Sequence, residues 1–271
     1  MVPPTAHSPV ALTIAGHDPS SGAGITADLA TFAAHGVFGA SCITALTVQS
    51  TLGVAKIQPI LGGYLHESLD FLAKDIPISG VKIGMLGSEE NVRAVADFLQ
   101  TLPPGTPIVL DPVLVSSSGR ELLDQNGISA MRSSLLPHVS WITPNRSELG
   151  ALLNGADCNS REQIEQSARK LDAEYPRLGI VVTGGDADTP DDFVLPPQAE
   201  RGNWLPGEHI QSNATHGTGC AFSSAMLCAL MQGQTGLEAA TSAKHYVTEA
   251  VRRAPRIGQG KGPMHLLWPL R

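Results

Sequence analysis

Short runs of β-branched residues alternate with helical patterns along most of the chain, and this alternation limits the possible fold more than any other feature. The predicted strands lie at 10–15, 40–48, 81–83, 107–110, 141–143 and 179–183. Apolar spacing predicts helices at 24–35, 60–74, 89–102, 122–136 and 160–175, near Glu148, and at 219–232 and 236–253. Strands that are separated by helices join through crossovers into a parallel sheet, which the helices cover on both faces.

The predicted fold class is therefore α/β, with three layers (helices, sheet, helices) around a mostly parallel central sheet. No charge run, internal repeat or change in composition marks a second domain, so residues 1–271 are predicted to form a single domain. The segment 187–207 is rich in Pro and Asp, which fits a loop with a β-ribbon better than a linker.

Composition and charge argue against several classes of function. The formal net charge of -7 disfavours sequence-independent binding of nucleic acid, which requires a basic surface. No apolar run approaches 18 residues, and the first nine residues carry neither a basic residue nor an apolar run. We therefore expect no membrane span, no signal peptide and a cytoplasmic location.

The four cysteines are scattered, without the spacing of a zinc site or a disulfide framework.

A first polar cluster, residues 16–24 (Gly-His-Asp-Pro-Ser-Ser-Gly-Ala-Gly), lies between a predicted strand and a predicted helix. In an open parallel sheet, the loops at the carboxyl ends of the strands form the ligand crevice, and a helix N-terminus there can hold an anion. The cluster has neither the Rossmann glycine pattern nor the Walker A lysine. Asp28 follows among apolar residues, where an acid needs a partner. A purely structural turn remains open.

A second cluster, Thr215-His-Gly-Thr-Gly-Cys220, precedes an apolar helix. Backbone N–H groups from Gly217 through Gly219 to Cys220 would form an anion hole, as phosphoryl transfer requires. The helix dipole would stabilise a thiolate at Cys220, which predicts that this residue takes a proton from a substrate hydroxyl. A glycine-rich loop with a buried core cysteine is the alternative.

Acidic and amide side chains add a candidate metal site. Asp111 ends a predicted strand, while Asn145 and Glu148 open a helix at a spacing that places them on one side. Magnesium often binds through one or two carboxylates together with phosphate oxygens. The same pair also fits a capping box, with Asn145 as N-cap and Glu148 at N3, and the sequence leaves both interpretations open.

Two further features could serve a nucleotide. Thr183-Gly-Gly185 follows a buried strand and could let an adenine or ribose approach the backbone. Lys244 on the last helix could reach a nucleotide or remain solvated, and His216 could simply brace its loop.

Together these segments resemble the hydroxymethylpyrimidine/phosphomethylpyrimidine kinases of thiamin biosynthesis, within the ribokinase-like superfamily. The resemblance extends from Leu12 to His265. It rests on segments that follow in the family's order: 13–25 with Ala27-Asp28-Leu29, Ile43–Gln49, Lys82–Leu86, Asp111-Pro-Val113, Ile142–Asn145 with Glu148, Thr215–Cys220 and Gly260–His265.

The resemblance implies ATP and Mg²⁺ as cofactors, a small pyrimidine as substrate, two phosphorylations at one site, and a homodimer. Its residue roles carry over as follows: Gly16, Asp28, Gln49, Met85 and Val113 around the aminopyrimidine; Asn145, Thr183, Gly185 and Lys244 around the nucleotide; Asp111 and Glu148 at the metal; and Gly217, Gly219 and Cys220 as anion hole and base.

The chain departs from this pattern at a few positions. Ser117 stands where the family commonly has lysine, His17 replaces a small hydroxyl residue, and Ser21 stands where glycine is common. The usual Lys-Gly-Gly-His has become Thr183-Gly-Gly-Asp186. A pyridoxal kinase of the same superfamily is the nearest alternative, although Gln49 and Met85 favour the pyrimidine. A non-catalytic pyrimidine-binding protein is a second alternative.

Overall fold

A nine-stranded mixed sheet forms the centre of the computed structural model, which describes residues 9–116, 118–185 and 190–270. The strands are β1 (Val10–His17), β2 (Phe38–Ser50), β3 (Gly53–Pro59), β4 (Gly80–Ile83), β5 (Ile108–Leu110), β6 (Trp141–Ile142), β7 (Gly179–Val182), β8 (Asp192–Leu195) and β9 (Asn203–Leu205). Their order is β3-β2-β1-β4-β5-β6-β7-β8-β9. The six strands from β2 to β7 in this order are parallel, whereas β3, β8 and β9 add antiparallel edges.

Helices cover both faces of the sheet. The helices are α1 (Gly24–Ala34), α2 (Gly62–Asp75), α3 (Glu89–Leu99), α4 (Gln125–Ala130), α5 (Arg146–Leu152), α6 (Arg161–Glu174), α7 (Thr218–Met231) and α8 (Gly236–Arg252). Helices α2 to α6 share one apolar core with the sheet, and α1, α7 and α8 share the other. A π-helical turn at Met131–Leu135 and a 3₁₀ turn at Leu136–His138 continue α4.

The strands β1, β5, β6, β7 and β8 read as continuous apolar runs because each contributes to both cores. In β1, Leu12 and Ile14 point into the core beneath α2 and α3, whereas Ala11 points into the core beneath α1 and α7. Successive side chains of a strand alternate between faces, so a strand covered on both sides needs apolar residues at every position. The predicted three-layer fold with a mostly parallel sheet is confirmed.

One difference from the sequence analysis concerns an edge of the sheet. The prediction contained no strand at β3, whose residues are all exposed or half-buried, so it lacks the apolar run that signals a buried strand. It pairs with the second half of the long strand β2. The predicted β-ribbon after β7 is confirmed by β8 and β9. Ser117 and the segment 186–189, with the Asp186 departure, lie outside the described residues.

The carboxyl ends of the parallel strands β1, β4, β5, β6 and β7 lie at one edge of the sheet, because parallel strands point the same way. The first polar cluster follows β1, and Asp111 follows β5 directly. Within the described residues, none of the helices combines the length and the apolarity that crossing a bilayer requires.

Candidate active site

The two glycine-rich clusters of the sequence pack directly against each other. Gly217, the N-cap of α7, has a φ of 79°, and a Cβ there would lie 1.9 Å from the Gly22 carbonyl oxygen. A Cβ on Gly22 would lie 2.3 Å from the His216 ring. The Gly24 N–H donates to the Cys220 thiol. The loop after β1 and the loop before α7 therefore form one surface, which side chains at these glycines would force apart.

Asp18 ties the same loops together through hydrogen bonds. Its Oδ1 accepts from the Ser20 N–H at 2.8 Å and from the Ser20 hydroxyl at 2.7 Å, and its Oδ2 accepts from the Ala23 N–H at 3.0 Å. The Nε2 of His216 lies 2.7 Å from Oδ2. Burial alone would raise the pKa of Asp18, but the hydrogen bonds from His216 and Ser20 outweigh it and lower the pKa. The side-chain amide of Gln49 lies 3.1 Å from the same Nε2 of His216.

A fully buried ion pair lies below these loops. The Lys82 Nζ is 3.0 Å from both carboxylate oxygens of Asp28, and neither side chain has exposed surface. The Thr13 hydroxyl donates to Asp28 at 2.6 Å, and the Ser224 hydroxyl donates at 2.8 Å. The carboxylates of Asp28 and Asp111 raise the pKa of Lys82, although burial alone would lower it. A cation is therefore held beneath Cys220.

Asp28 was predicted to contact the aminopyrimidine, and that role stays a prediction. Its carboxylate lies fully buried, with both oxygens accepting hydrogen bonds. Sequence reasoning also missed Lys82 as a functional residue. The signal was present, because a lysine between Val81 and Ile83 in a buried strand needs an acid, just as Asp28 needs a base.

Cys220 stands in the first turn of α7, half-buried beside Asp111. Burial, together with the charges of Asp111 and Asp28, raises the pKa of the Cys220 thiol to about 12, although Lys82 opposes this rise. The prediction that the helix dipole stabilises a thiolate is therefore wrong for the protein without substrates. Desolvation and two carboxylates outweigh the dipole and the lysine.

Asp111 and Glu148 are close enough to affect each other's ionisation. Burial, opposed by Lys82, raises the pKa of Asp111 to about 6. Burial and repulsion by Asp111 raise the pKa of Glu148 to about 8. Among the described residues, no group of three or more His, Cys, Asp or Glu is arranged to hold a metal ion. Two neighbouring carboxylates repel each other when both are ionised, and a divalent cation would relieve this repulsion. Phosphate oxygens would supply its remaining ligands.

The capping box that the sequence left open is present. The Asn145 side chain accepts from the Glu148 N–H at 2.9 Å, and Glu148 accepts from the Asn145 N–H at 2.9 Å. One oxygen of Glu148 is thus used in the cap, while the pKa of the carboxyl still responds to Asp111. Capping and metal handling are compatible, because the box fixes Glu148 in position beside Asp111.

A large cleft of about 1520 Å³ opens beside the start of α7. Four residues predicted for the nucleotide or the anion hole are in its lining, namely Thr183, Gly185, Gly219 and Lys244. A Cβ on Gly219 would lie 3.5 Å from an Asp111 carboxylate oxygen, so the cleft reaches the acidic pair. Lys244 is not simply solvated, because its Nζ donates to Asp192 at 2.8 Å and to the Pro190 carbonyl at 2.7 Å.

The residues predicted around the pyrimidine lie outside the lining of this cleft, on the side of β1, β2 and β4. Gly16 packs on Met85, whose sulfur would be 3.1 Å from a Cβ at position 16. The Thr44 hydroxyl donates to the Met85 carbonyl at 2.5 Å. Val113 is half-buried, and its N–H donates to the Asp111 carbonyl at 2.9 Å.

Two departures from the family pattern have visible consequences. Ser21 adopts a φ of 59°, the left-handed region that favours glycine, and its N–H closes a turn on the Asp18 carbonyl at 3.0 Å. His17, which is half-buried, forms an isolated backbone bridge with Gly24. Ser21 therefore occupies a backbone conformation that suits the glycine common in the family, and His17 takes part in the loop through its backbone.

Comparison with known proteins gives the family of the chain. The chain matches the phosphomethylpyrimidine kinase family over residues 18–265. A hydroxymethylpyrimidine/phosphomethylpyrimidine kinase from Haemophilus influenzae is 40% identical over 257 residues, covering 93% of this chain and 94% of that protein. One from Synechococcus elongatus is 39% identical over 266 residues, covering 97% of this chain and 98% of that protein.

Solved structures that resemble this chain are kinases as well. A pyridoxal kinase from Staphylococcus aureus in complex with ADP has a TM-score of 0.87 and 29% identity, covering 97% of this chain and 95% of that chain. A phosphomethylpyrimidine kinase from Clostridium difficile has a TM-score of 0.77 and 31% identity, covering 90% of this chain and all of that chain (100%).

The fold and the site define a kinase of the ribokinase-like class. Within that class, the chain belongs to the phosphomethylpyrimidine kinase family. The resemblance and the prediction of a kinase are both confirmed.

Gly217→Ala should unfold the site, because its Cβ would overlap the Gly22 carbonyl. Gly233 is the matched control, since it has a similar φ of 86° but no atom within 4 Å of an added Cβ. We expect Gly233→Ala to cost about 1 kcal/mol of stability with activity retained. Gly217→Ala should cost more and abolish kinase activity, as measured by chemical denaturation and ATP turnover. Equal effects of the two substitutions would contradict the clash.

Cys220 should react slowly with iodoacetamide near pH 7, because a thiol whose pKa is raised to about 12 is almost fully protonated there. The rate should keep rising as the pH is increased towards 11. Labelling is followed by mass spectrometry beside Cys220→Ala, which separates this site from the buried Cys42 and Cys228. Rapid, pH-independent modification of Cys220 at neutral pH would show a stabilised thiolate instead.

Proposed function

We propose that this chain transfers the γ-phosphoryl group of ATP first to 4-amino-5-hydroxymethyl-2-methylpyrimidine and then to its monophosphate, in thiamin biosynthesis. Membership of the family and relatives named for both steps support this. The observation that carries the proposal is the junction of the two glycine loops at Cys220. There a helix N-terminus, a buried cation and an acidic pair lie beside a cleft large enough for a nucleotide.

We propose that ATP occupies the cleft lined by Thr183, Gly185 and Lys244. The Staphylococcus aureus structures with ADP and with AMP-PCP support a nucleotide site in this fold. Asp111 and Glu148 would hold Mg²⁺, with Asn145 fixing Glu148 through the capping box. Bound Mg²⁺ would neutralise phosphate charge, as it does in other phosphoryl transfers. The pyrimidine would lie against Gly16, Gln49, Met85 and Val113.

In the first step the hydroxymethyl oxygen attacks the γ-phosphorus, and the bond to the β-phosphate oxygen breaks, so that ADP leaves with the electron pair. The N–H groups from Gly217 to Cys220 face the equatorial oxygens, where charge spreads in the transition state. Cys220 would take up the hydroxyl proton while its own thiol proton passes to the neighbouring Asp111 carboxylate. In the second step the nucleophile is a phosphate oxygen that is already anionic, so less base help is needed.

The direct test follows products by mass after incubation with MgATP and the hydroxymethyl pyrimidine. We expect both the monophosphate and the diphosphate, with kcat lowered about 10²–10⁴-fold by Cys220→Ala if the thiol acts as base. Cys228→Ala is the matched control on the same helix, where the thiol is fully buried in the α1–α7–α8 core. An unchanged kcat for Cys220→Ala would remove the thiol from the mechanism.

The same assay separates the alternatives. Turnover of pyridoxal instead of the pyrimidine would favour a pyridoxal kinase, the function of the S. aureus neighbour with a TM-score of 0.87. Accumulation of monophosphate alone would implicate Ser117, and Ser117→Lys should then restore the second step. Binding without turnover would favour a non-catalytic protein.

We further propose a single-domain cytoplasmic enzyme that forms a homodimer. Exposed apolar side chains cluster on the β2–β3 edge and along α2, namely Leu46, Val48, Leu52, Leu61, Tyr64 and Phe71. Exposed apolar side chains that form a contiguous patch mark interaction sites, and we propose that these side chains form the dimer contact. Sedimentation equilibrium should show a dimer that Val48→Asp weakens, and a monomer for the unsubstituted chain would contradict this assembly.

A further inference from the structure

Asp18 and His216 form a buried hydrogen-bonded pair that takes no part in the proposed anion hole. Both side chains are buried, and the His216 Nε2 lies 2.7 Å from Asp18 Oδ2 and 3.1 Å from the Gln49 side-chain amide. Asp18 also accepts hydrogen bonds from Ser20 and Ala23, so it is held as a carboxylate. A carboxylate has no proton to give. The hydrogen between the two side chains therefore belongs to Nε2, which donates to Asp18.

This tautomer decides which end of the Gln49 amide faces the histidine. A nitrogen that carries a hydrogen has no lone pair to offer, so it cannot accept a hydrogen bond from the amide N–H. The stable partner at 3.1 Å is therefore the amide oxygen, which shares the Nε2 hydrogen with Asp18. The NH₂ group of Gln49 then occupies the position 3.2 Å from the Thr47 hydroxyl oxygen.

Thr47 agrees with this orientation. Its hydroxyl donates to the His17 carbonyl at 2.8 Å, so its oxygen remains free to accept from the Gln49 NH₂ group. In the reverse orientation, the Thr47 hydrogen would have two acceptors, and two N–H groups would face each other at Gln49 and His216. Only one orientation gives every donor an acceptor.

We infer that Asp18 and His216, together with Thr47, are positioning residues that lock the Gln49 amide in one orientation and so select the substrate. The amide held in this orientation keeps one N–H and one oxygen lone pair free for a ligand, and the positions of this donor and this acceptor are fixed. The edge of a 4-aminopyrimidine presents a ring-nitrogen acceptor next to an amino donor, which matches that order. A ring that lacks the amino group leaves the second lone pair of the Gln49 oxygen without a donor. This rests on the proposed role of Gln49 at the pyrimidine.

The test is a double-substitution cycle of Asp18→Asn and Gln49→Ala. We expect each single variant to lower kcat/KM for the hydroxymethyl pyrimidine about tenfold or more, with the KM for ATP unchanged, because a mispaired polar edge is costly. In the Gln49→Ala background, Asp18→Asn should change kcat/KM less than about twofold, because Asp18 and His216 then have no amide to orient. Ser20→Ala is the matched control, since it removes one hydrogen bond to the other Asp18 oxygen and leaves His216 untouched.

Additive losses in the cycle, or a parallel rise in the KM for ATP, would overturn the inference and make Asp18 a structural residue of the loop. No effect of Gln49→Ala alone would instead overturn the proposed pyrimidine site. Should Asp18→Asn fail to fold, Thr47→Val tests the other end of the lock, because it removes the acceptor for the amide NH₂. Its loss in kcat/KM should likewise disappear in the Gln49→Ala background, and persistence of that loss contradicts the lock.

Discussion

The buried ion pair between Lys82 and Asp28 is the interaction on which the rest of the site depends. Lys82 comes from β4 and Asp28 from α1, while Thr13 of β1 and Ser224 of α7 add hydrogen bonds to the same carboxylate. Removing two charges from water costs several kcal/mol per ion, and only good geometry with further hydrogen bonds offsets it. The pair therefore joins β1, β4, α1 and α7 in one relative position.

That position determines where the two glycine loops meet. Helix α1 begins at the end of the first loop and α7 at the end of the second, so fixing both helices fixes the contact of Gly22 with Gly217. The charge of Lys82 also lies beneath Cys220 and Asp111. Lys82 is paired with Asp28, and its charge also favours the ionised form of Asp111 without a basic surface.

The sequence predicted the features that depend on neighbouring residues. The α/β layers, the Asn145–Glu148 capping box and the glycine loops followed from periodicity and local spacing. The features that it missed depend on contacts between distant parts of the chain. Strand β3 has no buried run of its own and is defined by pairing with β2. The pKa of Cys220 rises because the thiol is desolvated and because the carboxylates of Asp111 and Asp28 lie near it, which no local pattern shows.

The most direct measurement of this account is the free energy of unfolding of Lys82→Met, Asp28→Asn and the double variant, obtained by chemical denaturation. Each single substitution leaves one charge buried without its partner and should cost about 3–5 kcal/mol. The double variant removes both charges and retains the amide for Thr13 and Ser224, so it should recover much of that loss. Simple addition of the two single losses would show that the pair does not act as a unit and would contradict its central place.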